Sequence, residues 1–380
     1  MKSDSDFKKT FTAVAIMIGT VIGAGFLGIP SVIVKSGFAI GMFYILFVGL
    51  MVLFLFLMLG EVSLRTKGEH QLTGYAGIYL GNKGKIFMFY ALLFEVYSAV
   101  LAYLFGVSES LSFLFFGEVK YILFFGIGLW IFMFFIISHG VREMKKFLDY
   151  GSIVFLGLIV IVSLVNLPRV DLNNFKTIYF NNFFVPFGVV LFSYLGFAAM
   201  PEVERHLKGS ERLVKRSLIL GLVIAMIVYT VFSFVIVGVY GSNVSEISTF
   251  SLGKFVVILG IVTMVTSYVA LSVALKDMFG LDYSESWKKS WLYVTLLPLV
   301  LFIFLNFIGF DSFVKILSIG GVVSGGSIGI LILLMFARAK KGGNRKPEYE
   351  LKIPSVVLWI IGLIFVSGVV YELLNNIGFV

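Results

Sequence analysis

Gly19-Thr20-Val21-Ile22-Gly23-Ala24-Gly25-Phe26-Leu27-Gly28-Ile29-Pro30 packs four glycines into ten residues, with a proline just beyond, inside an otherwise apolar run. Glycine costs about 1 kcal/mol in a helix interior, and proline has no N–H to give to a helical hydrogen bond. A helix through this stretch is expected to unwind. Unwound backbone at membrane depth persists only where it is buried in protein or lines a cavity. There the second half-helix offers N–H groups that suit a carboxylate, and the first half offers carbonyls that suit a cation. An amino acid brings both a carboxylate and an ammonium. The competing reading is a glycine face for close helix packing, made by Gly19, Gly23 and Gly28.

The pattern returns. Gly25-Phe26-Leu27-Gly28-Ile29-Pro30 and Gly196-Phe197-Ala198-Ala199-Met200-Pro201 both read Gly-Phe-x-x-(Ile or Met)-Pro, the first starting at position 25 and the second at position 196. A weaker echo, Leu80-Gly81 against Leu252-Gly253, falls at nearly the same offset. Apolar segments run roughly over 10–35, 39–64, 86–112, 120–138, 147–167, 183–204, 213–240, 254–277, 290–308, 313–337 and 353–373. The offset between the two motifs carries spans 1–5 approximately onto spans 6–10. Five is odd, so the second copy enters the bilayer from the other side, as in inverted-repeat transporters. The expected fold is an all-α integral membrane protein of 11 transmembrane helices, a 5+5 inverted repeat plus one. On this division residues 1–9 are a cytoplasmic tail, 10–167 the first repeat, 181–337 the second and 353–373 the extra helix.

Composition agrees with that count. Of 380 residues 59% are hydrophobic and 13% charged, against about 45–50% and 25% in soluble domains. At about 20 residues per span, the apolar content fills some eleven helices. The 17% aromatic content excludes disorder. Runs such as Met51-Val52-Leu53-Phe54-Leu55-Phe56-Leu57-Met58 do not alternate, which excludes a barrel. No short cleavable apolar region precedes the first long segment, so the first span is expected to act as its own insertion signal. Lysine and arginine collect on the cytoplasmic side of membrane proteins. With the N-terminus inside, the tail and the loops near 65–85, 142–146, 205–216, 276–289 and 338–352 hold 24 of the 30 basic residues. Only Lys35, Lys120, Arg169, Lys176, Lys254 and Lys315 fall on the other side. An odd number of spans then puts the C-terminus outside the cytoplasmic membrane. The basic loops serve as topology signals, and no nucleic-acid partner is expected. The partners expected are the bilayer and a small molecule; the sequence does not fix an oligomeric state.

The glycine-rich stretch resembles the first-helix signature of the amino acid permeases of the APC superfamily, closest to the amino acid/auxin permease branch and the prokaryotic tryptophan/tyrosine permeases. Thr266-Ser267-Tyr268-Val269-Ala270-Leu271 with Lys276-Asp277 is similar to that branch's eighth helix. Phe192-Ser193-Tyr194-Leu195-Gly196-Phe197 with Pro201-Glu202 is similar to its sixth, and Leu59-Gly60-Glu61-Val62 to the end of its second. The resemblance implies a leucine-transporter-like fold, alternating access and cation-coupled amino acid uptake. It places the substrate carboxylate on backbone at Gly23, Ala24, Gly25 and Phe26. It places carbonyls and an aromatic wall at Ser193, Tyr194, Gly196 and Phe197. A sodium site known in relatives would use Gly19 and Ile22 with Thr266 and Ser267. A second sodium site needs an asparagine where this chain has Phe26, and the fifth-helix lysine of some proton-coupled relatives has no counterpart within 147–167.

Charges near the bilayer midplane are costly and are functional candidates. Glu95 lies about ten residues into span 3, roughly 15 Å deep, with Tyr97, Ser98 and Tyr103 close in sequence. It suits a coupled proton or a substrate ammonium; a hydrogen-bonded structural glutamate is the plainer alternative. Thr266 and Ser267 have a plain alternative too, bonding back to their own helix. Glu61, Glu202, Lys276 and Asp277 sit near cytoplasmic ends, where they either form an inner gate or snorkel to the interface. The chain has no cysteine, and its three histidines, His70, His139 and His206, lie away from the midplane. No cofactor or metal is expected, the coupling ion is H⁺ or Na⁺, and the chain is not expected to be an enzyme. The leading function is a secondary amino acid transporter for neutral or aromatic substrates. A sensor built on the same fold, binding without net flux, is the alternative.

Overall fold

The computed structural model describes residues 2–139, 156–282, 287–310 and 312–377, and every regular element in them is helical apart from one isolated bridge between Gly37 and Ile178. Among the described residues six helices are long and apolar enough to cross a membrane. A bent pair, Ser5–Val21 with Ala24–Ser36, makes a seventh. Four shorter apolar helices lie at Ile122–Ile137, Leu156–Arg169, Tyr293–Phe307 and Val356–Glu372. The expected fifth span begins at 147, and its first residues fall outside the described residues, as do the side chains of Lys276, Asp277 and His139.

The chain starts as α1 (Lys2–Val21), so the expected tail continues directly into the first span as helix. A 3-10 turn, Ala24–Gly28, leads to α2 (Ile29–Ser36), and the chain bends by 49° across the break. After α3 (Phe38–Leu64), α4 runs over Leu72–Phe116 and turns a corner at Gly81 (φ 76°, ψ −172°). The segment between spans 2 and 3, read from sequence as a loop, thus contains a helical stretch before the third span proper. Then come α5 (Ile122–His139) and α6 (156–166). The second half begins with α7 (Val185–Tyr194), a 3-10 turn over Phe197–Ala199 and α8 (Met200–His206). It continues with α9 (Val214–Tyr240), α10 (Lys254–Asp282) and α11 (Trp287–Phe307). Next, α12 (Phe313–Gly320) passes through one π-helical turn into α13 (Gly326–Gly342), and α14 (Ser355–Ile377) is the last helix.

The two broken segments pack half against half. α1 lies on α8, and α2 lies on α7. Long helices surround them, with α3 and α9 touching each other and α4 lying along α10, α12 and α13. Two corners of the chain are alike. Gly81 ahead of the third span and Gly253 ahead of α10 share φ 76° and 95°, with ψ −172° and 165°. Only glycine takes such a backbone without strain. Large exposed side chains such as Phe87, Phe124, Phe255 and Trp359 cover the outside, as expected of a bundle wrapped in hydrocarbon.

Candidate functional site

The first break has a local cause. α1 stops at Val21, Gly23 takes an extended backbone (φ −85°, ψ −160°), and α2 restarts with Pro30 in its first turn. Proline is favoured there because the missing N–H has no helical partner in any case. The second break is built alike. Leu195 is extended (φ −64°, ψ 143°), and α8 restarts with Pro201 in its first turn. The restarts, Ile29 and Met200, are the fifth residues of the two Gly-Phe-x-x-(Ile or Met)-Pro motifs, so the breaks stand at matching positions of the two motifs.

One side chain joins the breaks. Tyr229, on α9 and fully buried, places its hydroxyl 3.0 Å from the Val21 carbonyl and 2.6 Å from the Ser193 carbonyl. A hydroxyl has one proton to donate, so the two carbonyls share it. Phe26 stacks on the Tyr229 ring (centroids 5.8 Å apart, 5° between planes) and meets Phe232 edge-on at 5.0 Å. Tyr194 lies 5.0 Å from Tyr229 and donates to the Ile45 carbonyl. Phe197 packs on Phe56 at 4.7 Å. The backbones approach closely: a Cβ on Gly25 would lie 3.0 Å from the Phe192 ring and 3.3 Å from the Ser193 Cα, and one on Gly196 would lie 2.9 Å from a Val21 methyl.

Opposite Gly23 stands Tyr103 of α4. Its hydroxyl is 3.2 Å from where a Gly23 Cβ would be, and it faces the Ala24 N–H and the Ser267 hydroxyl. Glu95, two turns away on α4, is within electrostatic range of Tyr103, and its Oε2 is buried with no hydrogen-bond partner. The hydroxyls of Tyr268 and Ser272, one turn apart on α10, are also buried without partners. Of the anticipated residues, the structure thus brings Gly23, Ala24, Ser267 and, through Tyr103, Glu95 to one place. It brings Phe26, Ser193 and Tyr194 onto Tyr229, Gly25 and Gly196 beside Ser193 and Val21, which Tyr229 bonds, and Phe197 against Phe56. Thr266 donates to the Thr263 carbonyl at 2.9 Å, and Ser193 to the Val189 carbonyl at 2.8 Å. Ile22 donates to the Ile18 carbonyl and Gly19 stays within α1, so these two keep the last turn of the helix. Sequence reasoning does not single out Tyr229, Tyr268 or Ser272 as site residues. A tyrosine in the middle of an apolar helix is the one signal that points to Tyr229.

Both ends of this centre are covered. At the end rich in basic residues, Asp6 pairs with Arg212 at 2.5 Å, Lys208 with Glu69 at 2.8 Å, and Tyr75 donates to Glu204. Glu61 is fully buried there and accepts from Arg65 (2.8 Å) and from the Leu351 N–H (2.6 Å). The 343–354 segment thereby lies across the end of α3, with Tyr349 donating to the Leu57 carbonyl. Of the gate candidates, Glu61 is therefore sealed in and does not snorkel. At the opposite end the Ser248 hydroxyl donates to the Leu27 carbonyl at 2.6 Å, and Lys35 lies 3.7 Å from Glu246.

A bundle of apolar helices with two interrupted segments crossing at its centre defines a membrane transporter fold. The same fold is seen in the crystal structure of the Eremococcus coleocola manganese transporter in complex with an aromatic bis-isothiourea substituted compound (TM-score 0.69 at 11% identity, over 100% of this chain and 89% of that one). The chain belongs to the tryptophan/tyrosine permease family, whose sequence profile matches residues 7–374. It is 26% identical over 230 residues to tyrosine-specific transport system 1 of Haemophilus influenzae, covering 58% of this chain and 56% of that protein. It is 24% identical over 306 residues to glutamine transporter 2 of Aliivibrio fischeri, covering 72% and 76%. Tyrosine-specific transport system 2 of Haemophilus influenzae is 28% identical over 247 residues, covering 62% and 59%. The matched stretch is thus little more than half the length of the two tyrosine-specific relatives. The chain is a multi-pass membrane protein of a permease family, and its relatives are transporters, not enzymes.

Proposed function

We propose that this chain is a secondary active transporter that carries a neutral or aromatic amino acid across the cytoplasmic membrane by alternating access. The observation that carries the reading is the centre itself: two broken segments tied by Tyr229, with the backbone at Gly23 and Ala24 facing a buried hydroxyl from a third helix. The substrate carboxylate displaces Tyr103 from the Ala24 N–H, and the ammonium meets the carbonyl end of the second break near Ser193. Phe26, Tyr194 and Phe197 wall the side chain. The covered ends make the present state occluded, and release requires one set of end contacts to open.

The same proposal takes the chain as eleven spans, five and five inverted plus one. The restarts at Ile29 and Met200 and the matching corners at Gly81 and Gly253 support the repeat. The basic end is cytoplasmic, with the N-terminus inside and the C-terminus outside. Coupling is to H⁺, carried by Glu95, whose buried and unpartnered oxygen is placed to gain and lose a proton. The Na⁺ alternative rests on Ser267 with Thr266, whose hydroxyl gives its proton to the Thr263 carbonyl and keeps its lone pairs for an ion.

The test is uptake into proteoliposomes across a panel of amino acids, with pH and sodium gradients varied separately. Accumulation driven by a pH gradient alone, and lost in Glu95→Gln, is the expected result. Sodium-driven accumulation that survives Glu95→Gln moves the coupling to the Ser267 side. Binding with no flux under any gradient overturns transport in favour of a sensor.

A further inference from the structure

A groove of about 630 Å³ opens between α1 and α9 at the basic end, lined by Asp6, Phe7, Thr10, Phe11, Val14, Arg212, Arg216, Leu220 and Ile224. The α1 residues recur at helical spacing on one face, and 212, 216, 220 and 224 step by one turn along the other wall. Both helices enter the bundle from the same end, so the walls change in step. Asp6, Arg212 and Arg216 stand at the mouth; Val14 and Ile224 form the floor, about 12 Å beyond Arg216.

The charges at the mouth are not equivalent. Arg212 is paired with Asp6. Arg216 is exposed and has no hydrogen bond or ion pair among the described residues. Below it the walls are apolar, and Phe7 and Phe11 stand 69% and 59% exposed, their rings stacked at 6.4 Å. A free cation at the mouth of an apolar trough is complementary to one kind of molecule. We infer that the groove between α1 and α9 binds an anionic phospholipid. Its phosphate sits on Arg216, while Asp6 keeps Arg212, its glycerol oxygens lie near Thr10, and an acyl chain lies along Phe11, Val14, Leu220 and Ile224. The volume is that of a ligand pocket, and the basic rim attracts the anionic leaflet. The lipid site does not depend on which amino acid or ion is transported.

The experiment uses the full chain reconstituted with phosphatidylcholine alone or mixed with phosphatidylglycerol, with native mass spectrometry counting the lipids retained after release into detergent. Retention of phosphatidylglycerol over phosphatidylcholine is expected, falling about fivefold in Arg216→Gln. Lys215→Gln removes the same charge one residue away, but its ammonium lies over the Tyr349 ring outside the groove, so this variant retains lipid as wild type does. Ile224→Trp fills the floor with every charge in place and loses the lipid as well; it also carries the test if Arg216→Gln fails to fold. Equal retention of both lipids overturns the site, and so does an unchanged count in Arg216→Gln. An equal fall in Lys215→Gln reduces the effect to net charge, and displacement of phosphatidylglycerol by inorganic phosphate reduces it to free anion binding.

Discussion

In the first break five residues in a 3-10 turn, Ala24–Gly28, bridge α1 and α2, whereas in the second Leu195 and Gly196 precede a turn of only three, Phe197–Ala199. The first presents bare backbone to polar groups, with the Tyr103 and Ser267 hydroxyls opposite Gly23 and the Ser193 hydroxyl opposite Gly25. The second presents itself to apolar groups, with Gly196 against the Thr20 and Val21 methyls and Phe197 against Phe56. Matching positions of the two halves therefore share a backbone device and differ in chemistry. The first is suited to hold a charged group, and the second shapes the wall that faces it. Tyr229 makes the two respond together, since its single proton is shared between them.

Gly25→Val is expected to have the largest effect. A Cβ there already meets Phe192 and Ser193 at 3.0–3.3 Å, so the added methyls force the breaks apart, at a cost of about 1–3 kcal/mol. Substrate binding is expected to be lost, as read by isothermal calorimetry or a thermal-shift response to amino acids. Normal affinity in this variant removes the first break from the site. Tyr229→Phe comes next. It keeps the stacking on Phe26 and leaves the buried Ser193 carbonyl without its donor, while the Val21 carbonyl keeps the Gly23 N–H at 2.9 Å, at about 1–3 kcal/mol. A lowered melting temperature with reduced uptake is expected; unchanged stability would mean that the breaks are held independently. Gly196→Ala should be milder, about 1–2 kcal/mol, because it adds a single carbon, which meets one Val21 methyl at 2.9 Å, where Gly25→Val adds three. If Gly196→Ala abolished binding while Gly25→Val did not, the roles of the two breaks would be reversed.

Part of this difference is legible in the chain. Glycine and proline act on their own backbone, so Gly23, Gly25, Pro30, Gly196 and Pro201 mark both breaks without any tertiary knowledge. Apolar runs likewise mark the helices: the run 39–64 is the helix Phe38–Leu64. Contacts across long separations leave no such trace. Tyr229 reaches back 208 residues to Val21, and Glu61 accepts from the Leu351 N–H 290 residues ahead. The helix before Gly81 hides within a stretch whose polarity reads as loop. Thr266 and Ser267 look like a pair, yet adjacent residues on a helix point about 100° apart: Ser267 faces Gly23, and Thr266 donates to the Thr263 carbonyl.

The smallest effect expected concerns how the inner halves are held. α1 is tied to the loop before α9 through Asp6 and Arg212, whereas the end of α8 is tied through Glu69, which lies 2.8 Å from Lys208 and 3.7 Å from Arg205. The hydrogen bond and charge of Lys208, with Arg205 beyond, hold the Glu69 carboxyl below its usual value of 4.5, and Glu69 in turn raises Lys208 above 10.5. A carboxylate with a lowered value contributes its interaction above the ordinary carboxylate range and loses it as the pH falls through the lowered value. The lysine loses its part only as the pH rises past the raised one. The α8 tie is thus constant through neutral pH and weakens only as the pH falls through the lowered Glu69 value, beneath the ordinary carboxylate range. Both groups are exposed, so salt screens the pair and Glu69→Gln should shift the uptake rate only slightly. A pH profile of uptake in Glu69→Gln that overlays wild type everywhere above the ordinary carboxylate range fits this account. A profile displaced near neutral pH would instead place Glu69 in the proton path and take that role from Glu95.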